Sequence, residues 1–108
     1  MKIIRNNILP FKGFAAINIF GVLFVRKNVE ITDKLLRHEA IHTAQMKETY
    51  YIGFYLLYSF LWIACMLDCK FDYKAAYKSN AFEAEARIYS DYDNYLDHRP
   101  KFAWMYLL

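Results

Sequence analysis

Two histidines, His38 and His42, have the residue type and the spacing that can hold a metal ion. They lie in the segment TDKLLRHEAIHTAQMKE, residues 32–48, which contains neither glycine nor proline and therefore predicts one unbroken helix. At this spacing both imidazoles project from the same face of the helix, one turn apart. The alternative is a chance meeting of two histidines and a glutamate on an amphipathic helix. A well-capped helix directly after a predicted strand favours the metal site.

Glu39 follows the first histidine and lies about 100° further round the helix. A carboxylate there can reach a water molecule on the ion without ligating the ion. A metal ion lowers the pKa of bound water and polarises a carbonyl, while the carboxylate accepts the proton and passes it to the leaving amine. The HEAIH segment therefore predicts hydrolysis of a peptide bond, with Zn2+ as the cofactor and Glu39 as the general base.

These residues resemble those of the zinc metallopeptidases that share the HExxH motif. The metzincin branch extends the motif with a glycine and a third histidine, but the corresponding positions here hold Gln45 and Glu48. On an unbroken helix, Glu48 would point away from the histidine pair. The resemblance is therefore to the gluzincin branch, which takes its third ligand from a glutamate on a later helix, often within an ExxA pattern.

The segment SNAFEAEAR, residues 79–87, fits that pattern at Glu83. Short bacterial proteins that pair HExxH with a downstream FExEA segment resemble this chain over roughly residues 13–104. The resemblance implies that Glu83 is the third protein ligand of the zinc ion and that the substrate is a peptide or protein. Gluzincins often carry an aspartate where this chain has Arg87, so the pattern does not identify the residue that orients His38.

Glu85 is the alternative third ligand. Glu83 could instead complete a helix capping box with Asn80 or pair with Arg87 one turn on. Moreover, Glu85 lies closer than Glu83 to the apolar stripe of the helix predicted over residues 81–96. That stripe consists of Phe82, Ala86, Tyr89, Tyr92 and Leu96. Helical periodicity therefore favours Glu85, whereas the family pattern favours Glu83.

The N-terminal elements must position the metal-binding helix. Residues 1–12 predict an irregular segment, and residues 14–26, rich in β-branched and aromatic types, predict a strand or small hairpin with a bend at Gly21. Either Thr32 or Asp33 can cap the helix that follows. A substrate backbone could add as a strand to an exposed edge within residues 14–26, as it does at gluzincin-like sites.

The segment YYIGFYLLYSFLWIACML, residues 50–67, carries no charge and is a marginal candidate for a membrane span. A single crossing would leave the histidines and Glu83 on opposite sides of the bilayer, where they could not share an ion. We therefore expect a helical hairpin with a break at Gly53, a partly extended segment over residues 70–80, and an apolar C-terminal tail that covers the core. Contact of the apolar helix with a membrane surface is the alternative.

Composition restricts the class of protein. The net charge is only +3 and the basic residues are scattered, which excludes nucleic acid as a partner. Cys65 and Cys69 are too few for a disulfide framework, so they predict free buried thiols and a reducing, cytoplasmic compartment, with association to a membrane as an addition.

At 108 residues, the chain length predicts a single domain over residues 1–108, and the resemblance implies that it is a zincin-like metal-binding domain. The expected fold class is α+β, with an N-terminal hairpin or edge strand packed on three main helices. A different class of function is a non-catalytic protein that is stabilised by zinc or interacts at a membrane surface.

Overall fold

The computed structural model describes residues 2–6 and 16–108, which form a three-stranded sheet and several helices. The strands are β1 (Lys2–Asn6), β2 (Ala16–Ile19) and β3 (Val22–Arg26). The helices are α1 (Asp33–Glu48), α2 (Ile52–Asp68), α3 (Tyr73–Ser79), α4 (Ala81–Tyr89) and α5 (Tyr95–His98), followed by a 3-10 helix at Ala103–Leu107. The fold is a small α+β domain, as predicted, but it has four main helices rather than three.

β3 is the central strand of the sheet, which has the order β1-β3-β2. It pairs antiparallel with β2, where Ile17 lies opposite Phe24. The turn between these strands lies at Phe20 and Gly21, whose φ angles are 52° and 86°. Two consecutive left-handed residues are typical of a tight hairpin, and glycine adopts that conformation without strain. The predicted hairpin is therefore confirmed for residues 16–26, while residues 14 and 15 lie outside the described residues.

The prediction of an irregular segment over residues 1–12 is wrong for residues 2–6, which form β1. β1 pairs parallel with β3, so that Ile4 also lies opposite Phe24. Parallel strands are joined by a long connection, and the pairing therefore depends on contacts between distant residues rather than on a local turn signal. Residues 1 and 7–12 lie outside the described residues.

α1 begins where the capping pattern predicts. Thr32, rather than Asp33, is the cap, because its Oγ1 accepts a hydrogen bond from the backbone N–H of Leu35 at 3.1 Å. α1 is also fixed against the sheet. The Asn18 side-chain amide on β2 donates to the carbonyl of Glu39 at 3.0 Å and to Thr43 Oγ1 at 2.9 Å.

The break between α1 and α2 lies before the predicted position at Gly53. Tyr50 and Tyr51 adopt left-handed φ angles of 57° and 61°, and the axes of the two helices differ in direction by 109°. Gly53 lies inside α2, and a Cβ at this position would come within 3.4 Å of Thr49 Cβ. Its small size therefore allows the first turn of α2 to pack closely against the bend.

Among residues 2–6 and 16–108, no single helix is long and apolar enough to cross a bilayer, and α1 and α2 reach that length only as a bent pair.

Two predictions for the segment after α2 are wrong. The region expected to be partly extended contains α3, because Asp72 Oδ1 caps it by accepting hydrogen bonds from the backbone N–H groups of Lys74 and Ala75. The long helix predicted over residues 81–96 ends at Tyr89, where Ser90 caps it and donates from Oγ to the carbonyl of Arg87. The predicted helix is therefore divided at Ser90 into α4 and the separate short helix α5.

The core lies between α1, α2, α4 and the C-terminal 3-10 helix. Its buried members are Met46, Phe54, Ala81, Phe82 and Trp104. The prediction that the apolar tail covers the core is confirmed at Trp104, which is 7% exposed and packs on Phe82 with ring centroids 4.5 Å apart.

Candidate metal centre

The structure brings His38 and His42 of α1 together with Glu83 of α4. The two Nε2 atoms are 3.2 Å apart, His42 Nε2 is 3.2 Å from Glu83 Oε1, and His38 Nε2 is 3.4 Å from Glu83 Oε2. His42 and Glu83 are buried, while His38 is half-buried. One ligand atom from each residue can therefore contact a single ion, and this group could hold a metal ion.

α4 presents Glu83 to α1 because its first turn is firmly held. Asn80 Oδ1 caps the helix by accepting from the backbone N–H of Phe82 at 3.0 Å, and Asn80 Nδ2 donates to the carbonyl of Tyr58 at 3.2 Å. The capping box considered for Glu83 does not form, since the backbone N–H of Asn80 donates to Ala76 instead. The Glu83 carboxylate therefore faces the histidines.

The carboxylate of Glu83 is buried and faces both histidines. Its Oε2 lies 3.4 Å from His38 Nε2, but the geometry of this contact leaves Oε2 unsatisfied within the described part of the chain. Burial alone would raise the pKa of Glu83, but the attraction of His42 and His38 outweighs burial and holds the pKa well below its usual range. The carboxylate is therefore charged and available to a cation.

Gln45 determines which nitrogen of His42 is free. Gln45 Nε2 donates to the carbonyl of Phe82 and to Glu85 Oε1, each at 3.0 Å, so Gln45 Oε1 must face His42. It lies 2.8 Å from His42 Nδ1, which therefore carries the hydrogen in the neutral ring. The lone pair of His42 Nε2 is then directed toward His38 and Glu83, the arrangement typical of histidines that ligate metal ions.

Glu39 lies in the same cavity as the three candidate ligands but outside the ligand group. It is 7% exposed. Burial raises its pKa, His42 and His38 oppose that effect, and the negative charge of Glu83 adds to it. A carboxylate with a raised pKa beside a metal centre is suited to accept and release a proton.

The cavity has a volume of about 360 Å³. β2 forms one side of it, and the aromatic residues Tyr55, Tyr58 and Tyr77 contribute to the other sides. The Tyr58 hydroxyl donates to Glu83 Oε1 at 3.0 Å. Burial, followed by the negative charge of Glu83, raises the pKa values of Tyr58 and Tyr77, so both phenols stay protonated as donors.

Glu85, the alternative third ligand, lies on the same helix but faces a different cluster. Its carboxylate accepts hydrogen bonds from Arg99 Nη2 at 3.0 Å and from the Tyr95 hydroxyl at 2.8 Å. Arg99 also forms two hydrogen bonds of 2.9 Å with Glu48. Helical periodicity correctly placed Glu85 toward the core, but its partner there is a buried arginine rather than the metal centre.

Sequence reasoning missed Gln45, Tyr58 and Tyr77 at this site. Gln45 carries a usable signal, because it lies three residues after His42 and a helix brings such pairs together. The two tyrosines are among ten in the chain, and only tertiary packing distinguishes them from the others.

Comparison with known proteins identifies no relative. No protein-family model, curated protein or solved structure matches this chain.

Proposed function

We propose that this protein is a zinc-dependent metallopeptidase of gluzincin-like design. The observation that carries the proposal is the meeting of His38, His42 and Glu83 at one point, with Glu39 beside them in an open cavity. The four residues have the types that metal-assisted hydrolysis requires: three ligands and a general base.

The ligand atoms lie close enough together to share a zinc ion. Tetrahedral zinc with bonds of about 2.0–2.1 Å separates its nitrogen and oxygen ligands by about 3.3–3.4 Å. The two Nε2 atoms are 3.2 Å apart, and the Glu83 carboxylate lies 3.2 Å from His42 through Oε1 and 3.4 Å from His38 through Oε2. Two imidazoles and one carboxylate are also a ligand set that catalytic zinc sites use.

The open cavity favours catalysis over a purely structural ion. Structural zinc sites usually have four protein ligands, whereas catalytic sites have three and keep one position for water or substrate. Among the described residues, the ligand group has three members and adjoins the cavity. The alternative function is that of a protein that zinc stabilises but that catalyses no reaction.

Each residue has a distinct role in the proposed mechanism. When bound, zinc lowers the pKa of a water molecule and polarises the scissile carbonyl. Glu39 accepts the proton from the attacking water and then delivers it to the leaving nitrogen, which its raised pKa favours. Gln45 holds His42 in the ligating tautomer, and Tyr58 fixes the Glu83 carboxylate through Oε1.

β2 supplies a means of orienting the substrate. It is the edge strand of the sheet on the cavity side, and Ala16, Ile17 and Asn18 line the cavity. An extended peptide could pair with this strand through main-chain hydrogen bonds and pass over the metal centre.

The test is substitution of Glu39 by Gln, compared with wild type in metal content and in hydrolysis of a fluorogenic peptide library. Glu39→Gln should retain zinc and lose at least about a hundredfold of the rate, because the general base is absent. Glu30→Gln, which changes an exposed glutamate, is the control and should leave both unchanged. The proposed enzyme would be rejected if wild type bound zinc but hydrolysed no peptide. It would also be rejected if Glu39→Gln hydrolysed peptides at the rate of wild type.

A further inference from the structure

α2 is apolar on both of its faces. Phe54, Tyr55 and Tyr58 face inward, where they line the cavity, and Phe54 belongs to the core. Of the 17 residues of this helix, however, only Phe54 and Met66 are buried. A helix that is hydrophobic all round is normally covered on all sides, by protein or by lipid. The opposite face of α2 therefore requires a partner.

That opposite face, here called the outer face of α2, is continuous and apolar. At about 100° per residue, its members cover an arc of about 140°. They are Ile52, Leu56, Leu57, Phe60, Ile63, Ala64 and Leu67. The six large side chains are between 38% and 69% exposed, and the only polar residues beside them are Ser59 at one margin and Asp68 at the other. Exposed apolar patches of this kind mark sites of interaction.

Exposed aromatic residues flank α2 at both ends. Tyr50 precedes the helix and is 88% exposed, and Phe71 follows it and is 66% exposed. Tyr73 instead stacks on Trp62, which lies on the side of α2 away from the outer face. Tyr50 and Phe71 have left-handed backbones, with φ angles of 57° and 64°, so the chain turns sharply where each of them lies. Tyrosine and other aromatic rings at the ends of an aliphatic segment are typical of the headgroup layer of a bilayer.

Charged residues lie beyond these aromatic residues. Lys70, Lys74 and Lys78 are exposed after α2, together with the acidic Asp68 and Asp72. Three lysines and two acids leave a net charge of +1 at this end of the helix, since the Asp72 carboxylate keeps its negative charge while it caps α3. This small positive excess favours an anionic lipid surface.

We propose that the outer face of α2 binds a lipid bilayer, with the helix lying in the plane of the membrane surface. Lipid chains can cover a convex arc of this width, whereas a single partner helix covers the narrower seam of a coiled coil. Protein interfaces also have a polar rim and about one hydrogen bond per 100–200 Å². Along the outer face of α2, Ser59 is the only hydroxyl-bearing residue. The chemistry therefore favours lipid over a second copy of this chain.

This placement does not depend on the proposed peptidase activity. Because α2 lines the cavity with its inner face, membrane binding would hold the cavity about one helix diameter, roughly 10 Å, from the lipid. If the proposed function holds, the substrates are then peptide segments at the membrane surface.

The test is co-sedimentation of the full chain with vesicles of phosphatidylcholine, alone or mixed with phosphatidylglycerol. Wild type should bind both and should bind the anionic vesicles severalfold more tightly at low salt. Leu56→Gln and Phe60→Gln should each lower the partition coefficient about tenfold, because each removes a large inserted side chain. Ile88→Gln, a matched change of an exposed isoleucine on α4, should change it less than twofold.

Thermal unfolding and zinc content of the same variants separate this proposal from the proposed function. The α2 variants should melt like wild type and keep their metal, since Leu56 and Phe60 are exposed and belong neither to the core cluster nor to the lining of the cavity. A wild type that binds zinc but not vesicles would overturn the membrane proposal alone. The outer face of α2 would instead bind a second copy of this chain if two results were found together. Wild type would form a dimer without lipid, and Phe60→Gln would be a monomer that binds vesicles as wild type does.

Discussion

Gln45 Oε1 lies 2.8 Å from His42 Nδ1, and the amide nitrogen of the same side chain donates to Glu85 Oε1 at 3.0 Å. One buried side chain therefore joins a candidate metal ligand to the ion-pair cluster around Arg99. The two ends of the amide have different roles. Its nitrogen is held by fixed acceptors, and its oxygen can then act only as an acceptor for His42.

Replacing Gln45 by Leu should weaken zinc binding by about tenfold to a hundredfold, because His42 loses the acceptor that fixes its tautomer. The measurement is competition for zinc against a chromophoric chelator. Met46→Leu, a change of similar volume at the next position of the same helix, should bind zinc like wild type. Equal affinities of Gln45→Leu and wild type would show that Gln45 does not orient the ligand.

Glu83→Gln and Glu85→Gln should have opposite effects. Glu83→Gln should lose zinc while the fold is kept, because the amide still fits between α1 and α4. Glu85→Gln should keep zinc but lower the free energy of unfolding by about 3 kcal/mol, because it weakens a buried ion pair with Arg99. Elemental analysis and urea denaturation would measure the two effects. Loss of zinc from Glu85→Gln alone would identify Glu85 as the ligand.

Removal of the metal should lower thermal stability. A ligand at a hundred times its dissociation constant contributes about 2.7 kcal/mol, which corresponds to a shift of roughly 10 °C in Tm for a domain of this size. Differential scanning fluorimetry with a chelator, followed by added zinc, measures the loss and its recovery. His42→Ala should show no response to either reagent, and a wild type that behaves in the same way would contradict metal binding.

Zinc affinity should rise with pH. In the metal-free protein, burial lowers the pKa of His42, but the charge and hydrogen bond of Glu83, the charge of Glu39 and the hydrogen bond of Gln45 together outweigh burial and raise this pKa to about 9. Below that pH the ring carries a proton that zinc must displace, so affinity increases as pH rises toward about 9. Calorimetry in buffers of different ionisation enthalpy would detect the released proton. Affinity that is constant between about pH 6 and pH 8 would contradict this competition.

The elements with strong local signals were predictable from the sequence. Thr32, the unbroken run to Glu48 and the one-turn spacing of His38 and His42 define α1 and its metal-binding face, and Gly21 marks the hairpin. Each of these signals acts within a few residues, where capping and backbone preferences determine the structure.

The remaining features depend on contacts between distant residues. β1 forms because it pairs with β3, which is distant in sequence. The bend before α2 lies at Tyr50 and Tyr51, whose φ angles are positive, although glycine is the residue that usually marks such a bend. Arg99 lies in the polar segment DHRP, residues 97–100, yet its side chain is 6% exposed because it pairs with Glu48 and Glu85. The burial of Arg99 is not visible in the sequence. Helical periodicity could therefore not show whether Glu85 pairs with a buried arginine or ligates a metal ion.

The separation of the candidate ligands along the chain gives the metal a further effect. An ion that bridges His42 and Glu83 would close a loop of residues 43–82, which contains the whole of α2 and α3. Such a cross-link reduces the number of conformations open to the unfolded chain, as a disulfide does. Amide exchange in α2 and α3 should therefore slow when zinc is bound. If lipid also favours the ordered α2, then zinc and membrane would each strengthen the binding of the other.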